Sequence, residues 1–155
     1  MTTPAIRDGC PGDVGFVSGL SQQVFGRYGD YSGVLPGWLA DPAVQTVLAE
    51  DADGRPLGFA MLGARPPRRF IPVAGGELLA IAVVADRRRE GIGRRLVLEI
   101  ERRARAAQMR ELRLSTAATN LVARRLYASC GFAVLSHYTR FYPSGQSALE
   151  MAKRL

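Results

Sequence analysis

Glu77 to Leu96 reads ELLAIAVVADRRREGIGRRL. Residues 78–85 are the longest apolar run in the chain. Eight residues are too few to span a membrane, and they predict a strand buried on both faces. Three arginines follow, then Gly91 and Gly93, then Ile92, Leu96, Val97, Ile100 and Ala104 at helical spacing with charges between them. The order is strand, basic glycine turn, helix. The first turn of a helix presents N–H groups without internal partners and a partial positive charge. Glycines admit an anion close to the backbone and arginines add full charge, so the stretch has the construction of a phosphate-binding turn.

The phosphate is not that of a P-loop, because no Gly-x-x-x-x-Gly-Lys-[Ser/Thr] is present. Nor is it that of a dinucleotide fold, since Leu96 stands where the third glycine of Gly-x-Gly-x-x-Gly belongs. Arg88-x-x-Gly91-x-Gly93 after a strand instead resembles the acyl-CoA pyrophosphate motif of the GNAT superfamily of N-acetyltransferases.

The 155 residues predict one domain, 1–155, with a substantial core. Net charge is +7 and its distribution is uneven. Twelve arginines and four acids lie between Arg87 and Arg125, whereas the first 86 residues carry six arginines and nine acids. The basic field surrounds the glycine turn and suits a multiply phosphorylated ligand. The N-terminal stretch MTTPAIRD has no apolar signal core, which makes the cytoplasm the expected location and sets a membrane partner aside. Cys10 and Cys130 are far apart, with no CxxC, and His137 is the single histidine, so no metal is expected. A pI near 10.2 raises nucleic acid as a partner, but no binding signature accompanies it and the basic stretch coincides with the glycine turn.

Elsewhere the patterns predict a strand at Ala5–Arg7 and a helix at Asp13–Phe25. A Gly/Tyr/Pro/Trp-rich loop over 26–41 follows, with a short helix near Pro36–Ala40. Tyr28, Tyr31 and Trp38 make that loop a substrate-facing lid or a cover for the core. Strands at Val44–Glu50 and Pro56–Leu62 join around Asp53-Gly54, a hairpin signal. Residues 65–76 read as a connecting loop. Glu111–Ser115 is a strand, and Thr119 or Asn120 caps a helix over Leu121–Cys130 that Gly131 ends. Phe132–Leu135, Tyr138–Tyr142 and Ala148–Met151 read as closing strands.

Asn120-x-x-Ala123-x-x-Leu126-Tyr127-x-x-Cys130-Gly131-Phe132 is similar to the second motif of the same superfamily, in the right order after the first. The resemblance covers essentially the whole chain. It implies the mixed α/β GNAT fold, a mostly antiparallel six- to seven-stranded sheet with a V-shaped splay and helices on both faces. It also implies an acyltransferase with acetyl-CoA as cosubstrate. Ile81, Ala82 and Val83 of the strand, Arg88, Arg89, Glu90, Gly91, Ile92, Gly93 and Arg94 of the turn, and Asn120, Arg124 and Tyr127 are the implied acetyl-CoA contacts. A backbone N–H near Val83 is the implied oxyanion donor.

Glu77, fourteen residues before Gly91, matches the spacing of the catalytic glutamate in the histone-acetylating members of the superfamily, and a carboxylate at a strand rim suits a general base acting through water. A solvated strand-end glutamate is the competing reading. Tyr127 is the implied general acid to the departing thiolate, against a plain packing role. The tail, Phe141-Tyr142-Pro143-Ser144-Gly145-Gln146-Ser147-Ala148-Leu149-Glu150-Met151, is similar to the ending of protein N-terminal acetyltransferases, including ribosomal-protein alanine acetyltransferases. It departs from their pattern at Phe141 and at Gln146-Ser147, where they carry Tyr and Glu-Asp. The acceptor implied is a peptide N-terminal amine. A small-molecule amine (amino acid, polyamine or antibiotic) is the first alternative and a non-catalytic acyl-CoA-binding module the second. A homodimer stays open.

Overall fold

The structure is a computed structural model, and it describes residues 3–65 and 74–155. Among the described residues seven strands form one sheet, in chain order except that the last two exchange places. They are β1 (Ala5–Asp8), β2 (Gln45–Glu50), β3 (Pro56–Arg65), β4 (Gly75–Val83), β5 (Glu111–Ala117), β6 (Ala133–Tyr138) and β7 (Ala148–Arg154). The helices are α1 (Val14–Phe25), α2 (Val34–Ala40), α3 (Ile92–Ala106) and α4 (Leu121–Ser129). Every strand pair is antiparallel except β4–β5. No helix of the described residues is long and apolar enough to cross a membrane.

Register sorts the sheet into two faces. Ala60, Leu62, Leu78, Leu112, Leu114 and Met151 bury one face against the apolar stripe of α3 and against α4. In that stripe Ile92, Leu96, Val97, Ile100 and Ala104 are all fully buried; each large side chain contributes roughly 1.5–3 kcal/mol by leaving water. Leu48, Phe59, Met61, Ala80 and Ala82 bury the other face against α1 and α2. In β4 the alternation is interrupted once. Met61 pairs with Ala80 but Leu62 with Leu78, so Leu79 is an extra residue, a β-bulge. The bulge lets Leu78 face α3 and both Leu79 and Ala80 face α1.

β4 begins earlier than the apolar run indicated and is not buried on both faces. Alternate residues Glu77, Leu79, Ile81 and Val83 are half-buried, because β5 draws away from the strand and leaves that flank open to a cavity. The strand expected at Tyr138–Tyr142 is absent. Pairing with β7 ends at Tyr138↔Ala148, and Arg140, with φ 51°, turns the chain into a loop. The hairpin at Gly54 (φ 80°) is present, and so is the Asn120 cap, whose side chain accepts from the Ala123 N–H at 3.2 Å. Most of the loop expected over 65–76 lies outside the described residues.

Ion pairs tie distant elements. Lys153 on β7 donates to both Glu101 carboxylate oxygens on α3, each at 2.9 Å, and to the Cys130 carbonyl at 2.8 Å. Burial pushes the Glu101 pKa up, but Arg105 and Lys153 outweigh it and hold the carboxyl below its ordinary value. On the first strand Arg7 bonds both oxygens of Asp13 at 2.9 Å and Glu50 at 2.8 Å. The Arg7 hydrogen bonds hold Asp13 down at about 2.

A carboxyl whose pKa is depressed by folding stabilises above its unfolded value, near 3.9, and that stability disappears as pH falls through the folded value. Asp13→Asn is therefore expected to lower stability at pH 7 by about 2 kcal/mol. In urea unfolding at a series of pH values, the difference from wild type should shrink between about pH 4 and pH 2.

Candidate active site

β4 and β5 pair only where Gly76, Leu78 and the residue between them face Leu112–Leu114. Beyond Leu78 they part, although β4 runs on to Val83 and β5 to Ala117. Val84 N–H bonds the Leu57 carbonyl of β3 at 2.9 Å. Alternation along an antiparallel strand then turns the backbone groups of Ala82 toward β3 and those of Ile81 and Val83 into the gap. The Val83 carbonyl meets the Arg88 Nε–H there at 3.3 Å. A cavity of about 970 Å³ occupies the gap and is lined from both faces of the sheet.

The turn after β4 forms the floor of one end. Arg89 (φ 66°) and Gly91 (φ 80°) both take the left-handed conformation, which swings the chain so that the first N–H groups of α3 face the gap. The first of these to find an intrahelical partner is that of Arg95, on the Gly91 carbonyl at 3.1 Å. Gly93 has a different reason to be glycine. A Cβ there would stand 3.2 Å from Leu126 Cδ2, so its absence lets α3 and α4 approach across the gap. Arg87, Arg88, Arg89 and Arg94 all line the cavity, and the N-terminus of α3 adds its partial positive charge. An arrangement of this kind can cradle a polyphosphate.

The remaining walls carry a carboxylate and several phenols. Glu77 lies opposite Gly63 and Arg113, before the bulge, on the α1–α2 side of the sheet. Arg113 is engaged with Glu111 and Glu150, and Glu77, which lines the cavity, has no ion pair among the described residues. Tyr127 projects from α4 into the same space, 5% exposed and edge-on to Phe132 with ring centroids 6.1 Å apart. Burial, then Tyr142 and Cys130 nearby, push its pKa far up, so it remains an O–H donor at any physiological pH. Tyr142 faces the cavity too, and burial raises it to about 12. Its ring packs on Tyr28 with centroids 4.9 Å apart. Tyr31 and Trp38 complete an aromatic side.

Among the residues expected from sequence, Glu77, Ile81, Ala82, Val83, Arg88, Arg89, Gly91, Ile92, Gly93, Arg94, Asn120 and Tyr127 line one cavity. Glu90 and Arg124 do not. Glu90 pairs with Arg87 at 2.7 Å, and Arg124 donates to the Ala118 carbonyl at 2.7 Å, fastening the connection from β5 to α4. Arg94 also contacts protein, donating to Ser129 Oγ at 3.0 Å. Ser115, Thr116 and Ala117 on β5, Arg87 and Arg27 are wall residues that sequence reasoning did not single out. The splay that exposes the end of β5 has no local sequence signal, and Arg27 resembles any other arginine.

The sequence matches the acetyltransferase (GNAT) family model over residues 17–132. No curated protein sequence matches it. Among solved structures, ribosomal-protein-alanine N-acetyltransferase from Brucella melitensis superposes with a TM-score of 0.84 at 22% identity, over 97% of this chain and 99% of that one. Arabidopsis thaliana NAA60 with a bisubstrate analogue superposes at 0.85 and 17% identity, over 99% of each chain. The protein yncA from Salmonella typhimurium, with its cofactor acetyl-CoA, gives 0.83 at 17% identity, over 99% of this chain and 95% of that one. At these identities the superpositions establish a shared fold.

The left-handed turn supplies a test of the cradle. Gly91→Ala meets no atom within 4 Å and should cost only the backbone strain, about 1–2 kcal/mol. Gly91→Glu adds a negative charge at the N-terminus of α3 and should weaken acetyl-CoA binding by more than about tenfold beyond the alanine variant. Titration calorimetry on both variants checks this.

Proposed function

The chain belongs to the GNAT acetyltransferase family, and from that membership we propose that it acetylates the α-amine of a peptide or protein N-terminus by direct attack in a ternary complex. The observation that carries this reading is the gap between β4 and β5. There, unpaired strand N–H groups, a basic left-handed turn, a carboxylate and a buried phenol converge on one cavity. The cavity is large enough for an extended cosubstrate and an acceptor together.

Acetyl-CoA supplies the acyl group as a thioester. Residues 91–94 and Arg88 fit its pyrophosphate, and the Ile81 and Val83 backbones fit the pantetheine arm as an extra strand would. The Val83 N–H stabilises the negative charge that develops on the acyl oxygen, a preorganised dipole that needs no rearrangement. Glu77 takes the proton of the attacking amine, through water. Tyr127 donates its O–H to the departing sulfur. With its pKa raised well above that of a thiol, it acts as a hydrogen-bond donor more than a source of a full proton. An α-amine, with a pKa of about 7.7–8.0 against about 10.4 for lysine, is partly neutral at pH 7 and needs only one carboxylate of help.

Thiol release from acetyl-CoA, followed with peptides varied at their first residue and with free small amines, tests the acceptor. Turnover is expected with peptides carrying a free α-amine and should vanish when that amine is blocked. Turnover confined to small amines overturns the peptide assignment. Release from neither, with acetyl-CoA still bound, identifies a binding module.

Tyr127→Phe should lower kcat by roughly a hundredfold and leave the KM for acetyl-CoA nearly unchanged. Glu77→Gln should do the same with peptide acceptors. Equal changes in kcat and KM would make either residue a packing element.

A further inference from the structure

Charges on the cavity wall are sorted by side. Arg87, Arg88, Arg89 and Arg94 gather at the turn before α3, and among the described residues the single other cation of the wall is Arg27, just after α1. Glu77 is the one carboxylate among the described residues of that wall. The Arg27 guanidinium carbon lies 5.3 Å from the centre of the Tyr28 ring, and Tyr28 in turn packs on Tyr142. The Arg27 carbonyl accepts from Gln146 Nε2 at 2.9 Å, which fixes the segment against the loop that leads into β7. Its guanidinium has no hydrogen bond or ion pair among the described residues, and residues 1–2 and 66–73 contain no Asp or Glu. Asp30, the nearest acid along the chain, is turned to the Ser32 N–H at 3.0 Å. The neighbouring loop, Ser144 to Ser147, is uncharged.

An arginine stacked on an aromatic ring keeps its N–H edge free for a carboxylate, which it binds through two parallel hydrogen bonds. A polycationic acceptor finds nothing comparable here, because the only carboxylate on the wall is engaged with the reacting amine and Arg27 repels a second positive charge. Resting on the acyl-transfer reading above, we propose that this site selects an acceptor bearing a carboxylate. That carboxylate docks on Arg27, the apolar part of the acceptor lies along Tyr28 and Tyr142, and its amine reaches Glu77. The carboxylate belongs either to an acidic side chain close behind a peptide N-terminus or to a free amino acid.

Matched amidated tripeptides differing only in a Glu, Gln or Lys after the first residue, together with free phenylalanine and its amide, separate these sources. The full-length chain should favour the Glu peptide over the Lys peptide by about tenfold or more in kcat/KM, in proportion to one charge-assisted contact. Free phenylalanine exceeding its amide by a similar factor identifies the small-molecule source. Arg27→Gln should bring the ratio close to one, Arg27→Lys should restore part of it, and Arg27→Glu should invert it. A ratio of one in the wild type, a preference for Lys, or a preference that survives Arg27→Gln overturns the proposal. Binding of the same compounds to the CoA-saturated protein is read from the fluorescence of Trp38, the single tryptophan, which lines the cavity. Charge-selective binding without thiol release removes the transferase reading and keeps the anion site. Transfer without charge selection removes the anion site and keeps the transferase.

Discussion

Two parallel strands that pair for three residues and then part create the central constraint of this structure. Backbone N–H and C=O groups are obligatory hydrogen-bonding groups, and a strand that loses its neighbour in mid-sheet must find partners elsewhere. At the end of β4 part of that demand is met by Arg88 on the Val83 carbonyl. The rest faces a cavity. The protein thus keeps an incomplete sheet in the middle of an otherwise continuous one, a gap suited to a ligand with an extended, hydrogen-bonding arm. The bulge at Leu79 accompanies this opening, adding local twist where the strand leaves its neighbour and dividing Glu77 on one side from the Ile81–Val83 backbone on the other.

Holding such a gap open requires rigid flanks. The fully buried stripe of α3 anchors one side of the gap to the sheet, and the glycine at 93 lets α4 come close without closing it. The Lys153–Glu101 pair and the Cys130 carbonyl then bind α3, β7 and the end of α4 into one unit. Tyr127 and the N-terminus of α3 consequently sit on elements fastened to each other. Breaking a buried pair of this kind leaves an unpaired charge, which makes the cluster a strong restraint even if its net contribution to stability is small. The aromatic side, by contrast, is built from two loops that meet through Tyr28, Tyr142 and Gln146, and it is the part of the wall best able to differ between acceptors.

The family was legible because its two motifs encode local geometry. A left-handed residue before a helix calls for glycine, and Gly91 supplies it. An Asn at a helix start caps it, and Asn120 does so. Helical spacing of Ile92, Leu96, Val97, Ile100 and Ala104 specified the buried face of α3, since an amphipathic pattern over more than three turns leaves little freedom. Less of the far end could be read. Tyr138–Tyr142 has strand-forming residues, yet its pairing partner runs out at Ala148, and strand formation depends on a neighbour more than on propensity. Glu90 and Arg124 fell within site motifs but found protein partners, Arg87 and the Ala118 carbonyl. Motif spacing places a residue on an element without stating which way its side chain turns.

By itself, then, the sequence determined the helices, the glycine turn, most strands and the concentration of positive charge beside that turn. Each of these follows from interactions between residues close in the chain. Tertiary structure alone decided that β4 parts from β5, that the run at 78–85 is half-open rather than doubly buried, and that Arg27, Tyr28 and Tyr142 share a wall with Glu77 and Tyr127. Those facts depend on the register of strands more than thirty residues apart and on the bulge at Leu79, and no local pattern of side chains encodes them.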